Sequence, residues 1–430
     1  MALSQGQGSE ITVETLQTKL DKAVADFIQQ NPSSKKAIER ACESLPGGTT
    51  RAVLESEPFP LVVRSGKGSA LTTVDGRTFV DFVSDFTAGL FGHSHPAIQE
   101  AILQAVPNGF SLGAVTELEA QLSESIKARF PSIDLIRYCN SGTEANTYAL
   151  GTALAYTGRQ KVLVFDGAYH GGTLSFGHSP NYLNIPYDYV VGTYGDIEKT
   201  RAGLSFDIGA IIVEPMQSAG GMRSAGKEFL KFLRDAATTI GAVLIFDEVV
   251  TSRLDFHGMQ GGLGVKPDMT TLGKYLGGGL PFGAFGGRKD IMAQFDLKSG
   301  LAKKLSHSGT FNNNIFTMTA GVAASKLVTK EAIDRINALG DKCREGVRAI
   351  VKEAGKTDEI IVLGVGSCIG IHFRGQSGDL LRELCFFHLL SKDVWIGRRG
   401  FLALNFAHDD DNVTKFLQDF KEFLTLYSCY

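Results

Sequence analysis

A chain of 430 residues in which 43% are hydrophobic and 21% are charged can bury a large core, in two or three lobes of ordinary domain size. The formal net charge of −3 offers no basic surface of the kind that binds nucleic acid, and no apolar run reaches the length that spans a membrane. The six cysteines lack C-x-x-C spacing, and the first ten residues lack the basic and apolar segments of a signal peptide, so we expect a cytoplasmic protein without disulfides or a metal centre.

The N-terminal part is predicted to contain one helix and one hairpin. Residues 13–30 carry apolar side chains at helical spacing, which indicates an amphipathic helix. The segment L-P-G-G-T-T-R at 45–51 is typical of a loop. Strand-like runs at 60–63 and 69–74 follow, and D-G-R at 75–77 is typical of a hairpin turn.

From about residue 80, helical segments alternate with short, unbroken apolar runs. The predicted helices are 96–106, 116–129, 144–157 and 227–240, and the predicted strands are V-L-V-F at 162–165, A-I-I-V at 210–213 and V-L-I-F at 243–246. Apolar strands separated by helices indicate a parallel sheet that is covered on both faces. Because ligands bind beyond the C-terminal ends of such strands, we expect functional residues directly after each run.

The last hundred residues have a different pattern. Helices are predicted at 318–328, 332–353 and 411–427, with strands at 360–364 and 369–373. This pattern predicts a smaller α+β lobe that the N-terminal segment joins in space. We therefore divide the chain into 1–80 (the N-terminal helix and part of the small domain), 81–325 (the large domain) and 326–430 (the C-terminal small domain).

Four side chains stand at the predicted strand ends. Asp247 closes one apolar run, Glu214 follows another, and Tyr169 and His170 lie in the glycine-bordered loop after the third. A carboxylate that ends a buried strand is costly unless it caps the next element or meets a cation. Tyr169 could pack in the core or offer its ring to a flat ligand, and His170 could be a hydrogen-bonded loop residue or act directly.

The segment C-N-S-G-T-E-A-N at 139–146 opens a predicted helix. Ser141, Gly142 and Thr143 would present free backbone N–H groups and two hydroxyls at the helix N-terminus, which is a ready site for an anion. The same atoms would also serve an N-terminal capping box without any ligand.

The stretch T-T-L-G-K-Y-L-G-G-G at 270–279 places Lys274 between apolar residues and glycines. It is either a turn lysine beside a hinge or a desolvated amine that stays nucleophilic near neutral pH. This amine, the anion site at 141–143, the aromatic Tyr169 and the buried Asp247 together fit the needs of pyridoxal phosphate. That cofactor needs a lysine for its Schiff base and an acid at its ring nitrogen.

These motifs resemble those of the class III, fold type I pyridoxal-phosphate aminotransferases. The similar segments are D-E-V at 247–249, the Lys274 stretch, N-S-G-T-E-A at 140–145, Y-H-G at 169–171, G-H-S-H-P at 92–96 and H-S-G-T-F at 307–311. The resemblance covers roughly residues 40–425. Within the family it is strongest to the β-phenylalanine (β-amino acid) aminotransferases and the glutamate-1-semialdehyde aminomutases. It implies a mostly parallel seven-stranded sheet in the large domain.

The resemblance also implies roles for individual residues. Lys274 would hold the cofactor and later move a proton on the substrate, and Asp247 would pair with the ring nitrogen. The remaining implied contacts are Tyr169 on one ring face, Val249 on the other, Glu214 beside them, and Ser141, Gly142 and Thr143 on the phosphate. Thr310 would reach the phosphate of a neighbouring subunit, which implies a homodimer with shared active sites.

Three hypotheses about function remain open at this point: an aminotransferase, an aminomutase, and a binding protein that has kept the fold. Arginine suits carboxylate recognition, and the two candidates are Arg51 and Arg399, each of which could also be an ordinary surface residue. The resemblance favours both, because β-amino acid aminotransferases carry arginines at these positions. The aminomutases have a glutamate–alanine pair where this chain has Arg398 and Arg399.

The favoured hypothesis is therefore the transfer of an amino group from a β-amino acid to an oxo acid such as 2-oxoglutarate or pyruvate. The alternatives are glutamate-1-semialdehyde 2,1-aminomutase and an amine transaminase with a broad donor range.

Overall fold

The computed structural model describes residues 13–177 and 179–427. The first ten residues, on which the expectation about a signal peptide depends, and Cys429 lie outside the described residues. The α-helices are α1 (Val13–Gln30), α2 (Pro32–Cys42), α3 (Pro96–Ala105), α4 (Glu117–Arg129), α5 (Gly142–Thr157), α6 (Ile197–Ala202), α7 (Lys227–Ile240), α8 (Gly258–Leu263), α9 (Lys289–Met292), α10 (Ile315–Leu327), α11 (Lys330–Glu353), α12 (Gly378–Ser391) and α13 (Asp410–Tyr427).

The strands belong to one large sheet and four smaller ones within the described residues. They are β1 (Val63–Lys67), β2 (Ala70–Thr73), β3 (Thr78–Asp81), β4 (Leu135–Cys139), β5 (Lys161–Phe165), β6 (Ala168–Tyr169), β7 (Ser175–Phe176), β8 (Asp188–Gly192), β9 (Ile208–Val213), β10 (Met216–Gln217), β11 (Arg223–Ser224), β12 (Val243–Asp247), β13 (Met269–Gly273), β14 (Gly283–Gly287), β15 (Ile360–Val365), β16 (Cys368–Phe373), β17 (Val394–Trp395) and β18 (Phe401–Ala403).

The central sheet has seven strands in the order β4-β14-β13-β12-β9-β5-β8. Strand β14 pairs antiparallel with both of its neighbours, whereas β13, β12, β9, β5 and β8 pair in parallel. The predicted α/β class with a mostly parallel seven-stranded sheet is confirmed.

Both faces of this sheet are buried, and side chains alternate between them along each strand. In β5, Val162 and Val164 pack on the side of α5, whereas Leu163 and Phe165 pack on the side of α7. This is why the strands are continuous apolar runs in the sequence, since neither face meets water. It also leaves the ends of the strands as the places where polar side chains can stand.

A second lobe combines the two ends of the described chain. Strands β15, β16 and β18 form an antiparallel sheet that packs with α11, α12 and α13. Helix α1 joins the same core, where the ring centroid of Phe27 lies 5.4 Å from that of Phe387. Strand β17 also pairs in parallel with β3 of the N-terminal part. The domain boundaries after residues 80 and 325 stay a prediction.

Every helix predicted within these residues is present, with ends that differ by at most a few positions. The strand predicted at 60–63 is wrong, because β1 begins only at Val63. Pro60 has no N–H for a ladder, and the N–H of Val62 donates to the hydroxyl of Ser34 at 3.1 Å and to no strand. Helices α2 and α12 were not predicted.

Candidate active site

Functional side chains gather at one edge of the central sheet. Strands β5, β9 and β12 are neighbours and run in parallel, so their C-terminal ends lie at the same edge. Asp247 is the last residue of β12, and Glu214 directly follows β9. Tyr169 and His170 lie a few residues beyond the end of β5.

Asp247 is almost completely buried, and its carboxylate is surrounded by donors. Oδ2 accepts from Nδ2 of Asn146 and from Nδ1 of His170, both at 2.8 Å. Oδ1 accepts from the N–H of Val249 at 3.0 Å and more weakly from Oγ1 of Thr271 at 3.5 Å. The bond to Val249 is the cap that the sequence allowed for, but the other donors fix the carboxylate beyond what a cap requires.

The second nitrogen of His170, Nε2, is buried and has no hydrogen-bond partner in the described part of the chain. A carboxylate can only accept, so Nδ1 carries the proton that His170 shares with Asp247. Sequence reasoning left the role of His170 open, and the structure places it directly against the aspartate.

Glu214 supports the loop that carries Tyr169. Its Oε1 accepts from the backbone N–H of Tyr169 at 2.9 Å, and its Oε2 accepts from that of Ser218 at 3.2 Å. Burial raises the pKa of Glu214 above its usual range, while nearby His170 opposes the rise and the charge of Asp247 adds to it. The exposed side chain of Tyr169 is 47% accessible and thus free to present its ring.

The N-terminus of α5 lies at the same edge. Ser141 is the N-cap, with Oγ accepting from the N–H of Glu144 at 3.1 Å, so the capping function that the sequence allowed for is present. The N–H groups of Gly142 and Thr143 belong to the first turn and have no partner within the helix. Oγ1 of Thr143 accepts from the N–H of Gly172 at 3.3 Å, which fixes the loop after Tyr169 to this helix end.

Val249 lies between this helix end and Lys274. A Cβ added to Gly142 would come within 2.9 Å of Cγ1 of Val249. A Cβ added to Gly273 would come within 3.2 Å of the same atom and 3.6 Å of the Cα of Gly142. Close approach therefore favours glycine at both positions, most strongly at Gly142, and the three segments form one contiguous wall.

Lys274 follows this wall at the end of β13. It is a residue other than glycine with a φ of 57°, a strained conformation that is frequent at functional sites. Its Nζ donates to the carbonyl oxygen of Phe86 at 2.6 Å. Burial lowers the pKa of Lys274 to about 8, with the charge of Asp85 opposing the shift and that of Arg51 adding to it. The amine is thus desolvated, as the nucleophilic interpretation of the sequence predicted.

Arg51 lies close to the residue that binds this amine. Its guanidinium is 5.3 Å from the centroid of the Phe86 ring, and its NH1 pairs with Oδ1 of Asp85 at 2.9 Å. Arg51 is far from Lys274 in the sequence, yet a single residue, Phe86, contacts both side chains.

Arg399 lies near the other end of the chain, in the turn that leads to Phe401. It is exposed, and no hydrogen bond or ion pair to it occurs within the described ranges. Phe401, two residues later, stacks on Phe86 with centroids 6.1 Å apart and planes at 6°. Arg398, in contrast, pairs with Glu383 at 2.5 Å and donates to Ser56 at 2.6 Å. The guanidinium of Arg398 is therefore already paired, and the two candidates for a substrate carboxylate stay Arg51 and Arg399.

Thr310 is exposed. Among the described residues, it makes no hydrogen bond to the predicted phosphate-binding residues Ser141, Gly142 and Thr143. Its turn is nevertheless close, because Nδ2 of Asn140 donates to Oδ1 of Asn312 at 3.0 Å. A role for Thr310 at its own chain's seat is not supported, which leaves a role at a second copy's seat as a prediction.

Several residues of the site were missed in the sequence. Asn146 carried a readable signal, because it lies one helical turn after Gly142 and faces the same way. Thr271, Asp85 and Phe86 carried none, since their partners are remote in the chain. Among the described residues, no group of three His, Cys, Asp or Glu side chains is arranged to hold a metal ion.

The residues present fit pyridoxal phosphate. Free first-turn N–H groups beside Thr143 suit its phosphate, and the carboxylate of Asp247, which several donors hold in place, suits a ring nitrogen. Val249 offers an apolar contact to the cofactor ring, and the exposed ring of Tyr169 offers a flat one. Lys274 supplies the amine.

Comparison with known proteins identifies relatives along almost the entire chain. The profile of the family "Aminotransferase class-III" matches residues 52–422. The chain is 42% identical over 423 residues to a β-phenylalanine transaminase of Variovorax paradoxus, which covers 94% of this chain and 96% of that protein. It is 35% identical to a glutamate-1-semialdehyde 2,1-aminomutase of Thermodesulfovibrio yellowstonii, over 90% of this chain and 97% of that one.

A solved structure shows the same similarity in three dimensions. The crystal structure of a β-phenylalanine aminotransferase from Variovorax paradoxus superimposes with a TM-score of 0.92, at 41% identity, over 96% of this chain and 98% of that one.

Proposed function

Because the chain belongs to the class III aminotransferases, enzymes that depend on pyridoxal phosphate, we propose that it transfers an amino group from a β-amino acid to an oxo acid such as 2-oxoglutarate or pyruvate. One observation carries this choice of substrate. The guanidinium of Arg51 lies 5.3 Å from the ring of Phe86, whose carbonyl also binds the amine of Lys274. Phe401, two residues after the exposed Arg399, stacks on the same ring.

One arginine beside this amine, and a second one two residues before the ring that stacks on Phe86, suit a reaction in which both substrates are carboxylates. The rigid fork of arginine matches a carboxylate in two parallel hydrogen bonds. We assign Arg399 to the α-carboxylate of the oxo acid, and Arg51 to the carboxylate of the β-amino donor or to the distal carboxylate of the acceptor. The transaminase relative whose name includes β-phenylalanine supports this assignment.

The cofactor, when bound, supplies the electron sink that makes the C–H bond beside the substrate nitrogen acidic. Asp247 keeps a negative charge next to the ring nitrogen, and its four donors hold that charge in place. The N-terminus of α5, from Ser141 to Thr143, would hold the phosphate. Tyr169 and Val249 would contact the ring, and Glu214 positions the backbone of Tyr169.

Lys274 would hold the cofactor through Nζ, and the same amine would accept and return the proton of the substrate C–H bond. With a pKa of about 8, a substantial fraction of the amine is neutral near neutral pH, whereas an ordinary lysine near 10.4 is almost fully charged. A neutral amine accepts a proton readily, and a pKa near the working pH also lets it return that proton.

Two further activities remain alternatives. A semialdehyde aminomutase relative is 35% identical to this chain, and the mutase reaction needs the same Lys274 and Asp247. Against it, Arg399 is exposed and has no hydrogen-bond or ion-pair partner among the described residues, so its guanidinium can bind a carboxylate. An amine transaminase would use the same amine without either arginine.

We also propose that the active unit is a homodimer. Around Thr310, the side chains of Phe110, Val115 and Phe311 are 65%, 87% and 58% exposed. Such a cluster of exposed large apolar residues is unusual on a monomer and is covered at little cost by a second copy. This would place Thr310 at the partner's phosphate.

A cytoplasmic location is part of the same proposal. The five cysteines within the described residues are free, which suits a reducing compartment. No described helix combines the length and apolar character that crossing a membrane requires.

The deciding experiment is one panel of donors and acceptors. α-Amino acids, β-amino acids, simple amines and glutamate-1-semialdehyde are each tested with 2-oxoglutarate and pyruvate. The variants are Arg51→Ala, Arg399→Ala and the control Arg348→Ala, whose side chain is exposed to 44% compared with 46% for Arg51.

We expect β-amino acids to be the best donors. Each active-site change should lower kcat/KM about a hundredfold, because a lost charge-assisted contact costs roughly 2–3 kcal/mol. The control should have no effect. Strong turnover of amines without a carboxylate, insensitive to both changes, would replace this proposal with an amine transaminase. Conversion of the semialdehyde without an acceptor would favour the mutase.

A further inference from the structure

The turn at residues 84–87 has an unusual backbone. Ser84, Asp85, Phe86 and Thr87 have φ values of 48°, 44°, 50° and 77°, and none of them is glycine. Four consecutive left-handed residues are strained and persist only where the surroundings hold them. Such conformations concentrate at sites where side chains must be aimed.

The surroundings hold this turn firmly. The carboxylate of Asp81 accepts from the N–H groups of Val83 and Ser84. The hydroxyl of Ser84 donates to the carbonyl of Ala403 at 2.7 Å and accepts from Nδ2 of Asn405 at 2.9 Å. The turn is thus anchored to both the N-terminal and the C-terminal parts of the chain.

The turn presents two groups to the active site. The carbonyl of Phe86 accepts from Nζ of Lys274, and the carboxylate of Asp85 pairs with Arg51. Asp85 is therefore a carboxylate on the very guanidinium that the proposed function assigns to a substrate carboxylate.

The geometry of the ion pair between Arg51 and Asp85 allows a ligand carboxylate to replace Asp85. It uses one nitrogen and one oxygen, at 2.9 Å, and the two side chains are 46% and 55% exposed. An exposed, single-contact pair contributes little to stability. A ligand carboxylate can bind the same guanidinium through two parallel bonds, which is the stronger arrangement.

Building on the proposed function, we propose that Asp85 is a specificity-determining residue that competes with the substrate carboxylate for Arg51. It occupies the guanidinium between turnovers, and a ligand must displace it. The affinity of the Arg51 subsite is thus set by the exchange of one carboxylate for another.

The test measures binding of 3-phenylpropanoate, a carboxylate that has the carbon skeleton of β-phenylalanine and no amine. Calorimetry on the cofactor-loaded protein compares wild type, Asp85→Asn, Arg51→Ala and the double variant. The matched control is Asp393→Asn. Asp393 is an exposed aspartate outside the site, and its carboxylate pairs with Arg77 at 2.6 Å.

We expect Asp85→Asn to tighten binding roughly twofold to fivefold, the range set by an exposed ion pair. Arg51→Ala should weaken binding, and Asp85→Asn should have no effect in that background, because the two residues act through one contact. Asp85→Glu retains the carboxylate and should bind as wild type, and Asp393→Asn should change nothing. In steady-state kinetics, Asp85→Asn should lower KM for carboxylate donors more than for simple amines.

Two results would overturn the role of Asp85 alone. One is unchanged binding in Asp85→Asn although Arg51→Ala weakens it. The other is equal tightening with and without Arg51, which indicates a general charge effect. If wild type does not bind the carboxylate and Arg51→Ala changes nothing, the proposed substrate class fails, and the role of Asp85 fails with it.

Discussion

Replacing Asp247 by asparagine separates the two functions that this side chain combines. The substitution keeps the size and removes the charge. Around the carboxylate, Asn146 and His170 donate to one oxygen, whereas Val249 and Thr271 donate to the other. An amide has one acceptor oxygen and one donor nitrogen, so it cannot serve both sides.

The cost to stability follows from the better of the two orientations. If the amide oxygen keeps Asn146 and His170, the amide nitrogen faces the N–H of Val249. The hydroxyl of Thr271, whose proton is donated to Oδ1 of Asn146 at 2.6 Å, can accept from the amide nitrogen. One buried donor is then unpaired, which costs roughly 1–3 kcal/mol. The protein should therefore fold and retain the cofactor, whose phosphate and ring contacts are elsewhere.

The cost to catalysis should be much larger. Without a negative charge at the ring nitrogen, the electron sink is lost when the C–H bond breaks. A preorganised charge of this kind is worth on the order of a hundredfold or more in rate. We expect Asp247→Asn to slow the half-reaction by at least that factor, measured by single-turnover absorbance, with cofactor content close to wild type.

Asp268→Asn is the matched control. Asp268 is also buried, lies just before β13 at the opposite edge of the sheet, and accepts from Arg234, Arg288 and the N–H of Leu244. The same substitution there should lower the thermal midpoint and leave the half-reaction rate near wild type. Near-native half-reaction rates in Asp247→Asn would falsify the reasoning and reduce Asp247 to a structural cap.

Three other predictions concern the amine and the assembly. Lys274→Ala should give a colourless protein, and a borohydride-reducible adduct on the same peptide in this variant would identify another lysine as the anchor. Cofactor capture by apo-protein should accelerate as pH rises, with a midpoint near pH 8 and a plateau above about pH 9, because the lowered pKa of Lys274 sets the fraction of neutral amine; a midpoint near the pKa of an ordinary lysine would contradict it. Dissociation of the dimer, followed by analytical ultracentrifugation, should weaken cofactor retention, as should Thr310→Ala, and a fully active monomer would refute this.

The framework of the molecule could be predicted because its signals are local. The strand that ends at Asp247 is a run of four apolar residues, and both of its faces are buried. Its sequence therefore predicts the strand itself, its place in a parallel sheet and the position of the acid at its end. The same holds for α5, whose Ser141 cap and first-turn glycine are adjacent in the chain, and for Lys274 among its glycines.

The contacts of the site could not be predicted in this way. Phe86 binds Lys274 across 188 positions of the chain, and Asn146 binds Asp247 across 101. No residue type near 84–87 signals a left-handed turn, since that turn contains no glycine. Likewise, nothing in the sequence distinguishes Arg398, paired with Glu383, from the free Arg399.

The sequence by itself determined which segments become strands and helices and which residue types stand at their ends, because these depend on neighbours within a few positions. Only the tertiary structure decided that Arg51, Asp85, Phe86 and Lys274 meet. Their meeting depends on bonds between distant segments, such as those from Ser84 to Ala403 and Asn405, and these bonds compensate a backbone conformation that the turn would not adopt alone.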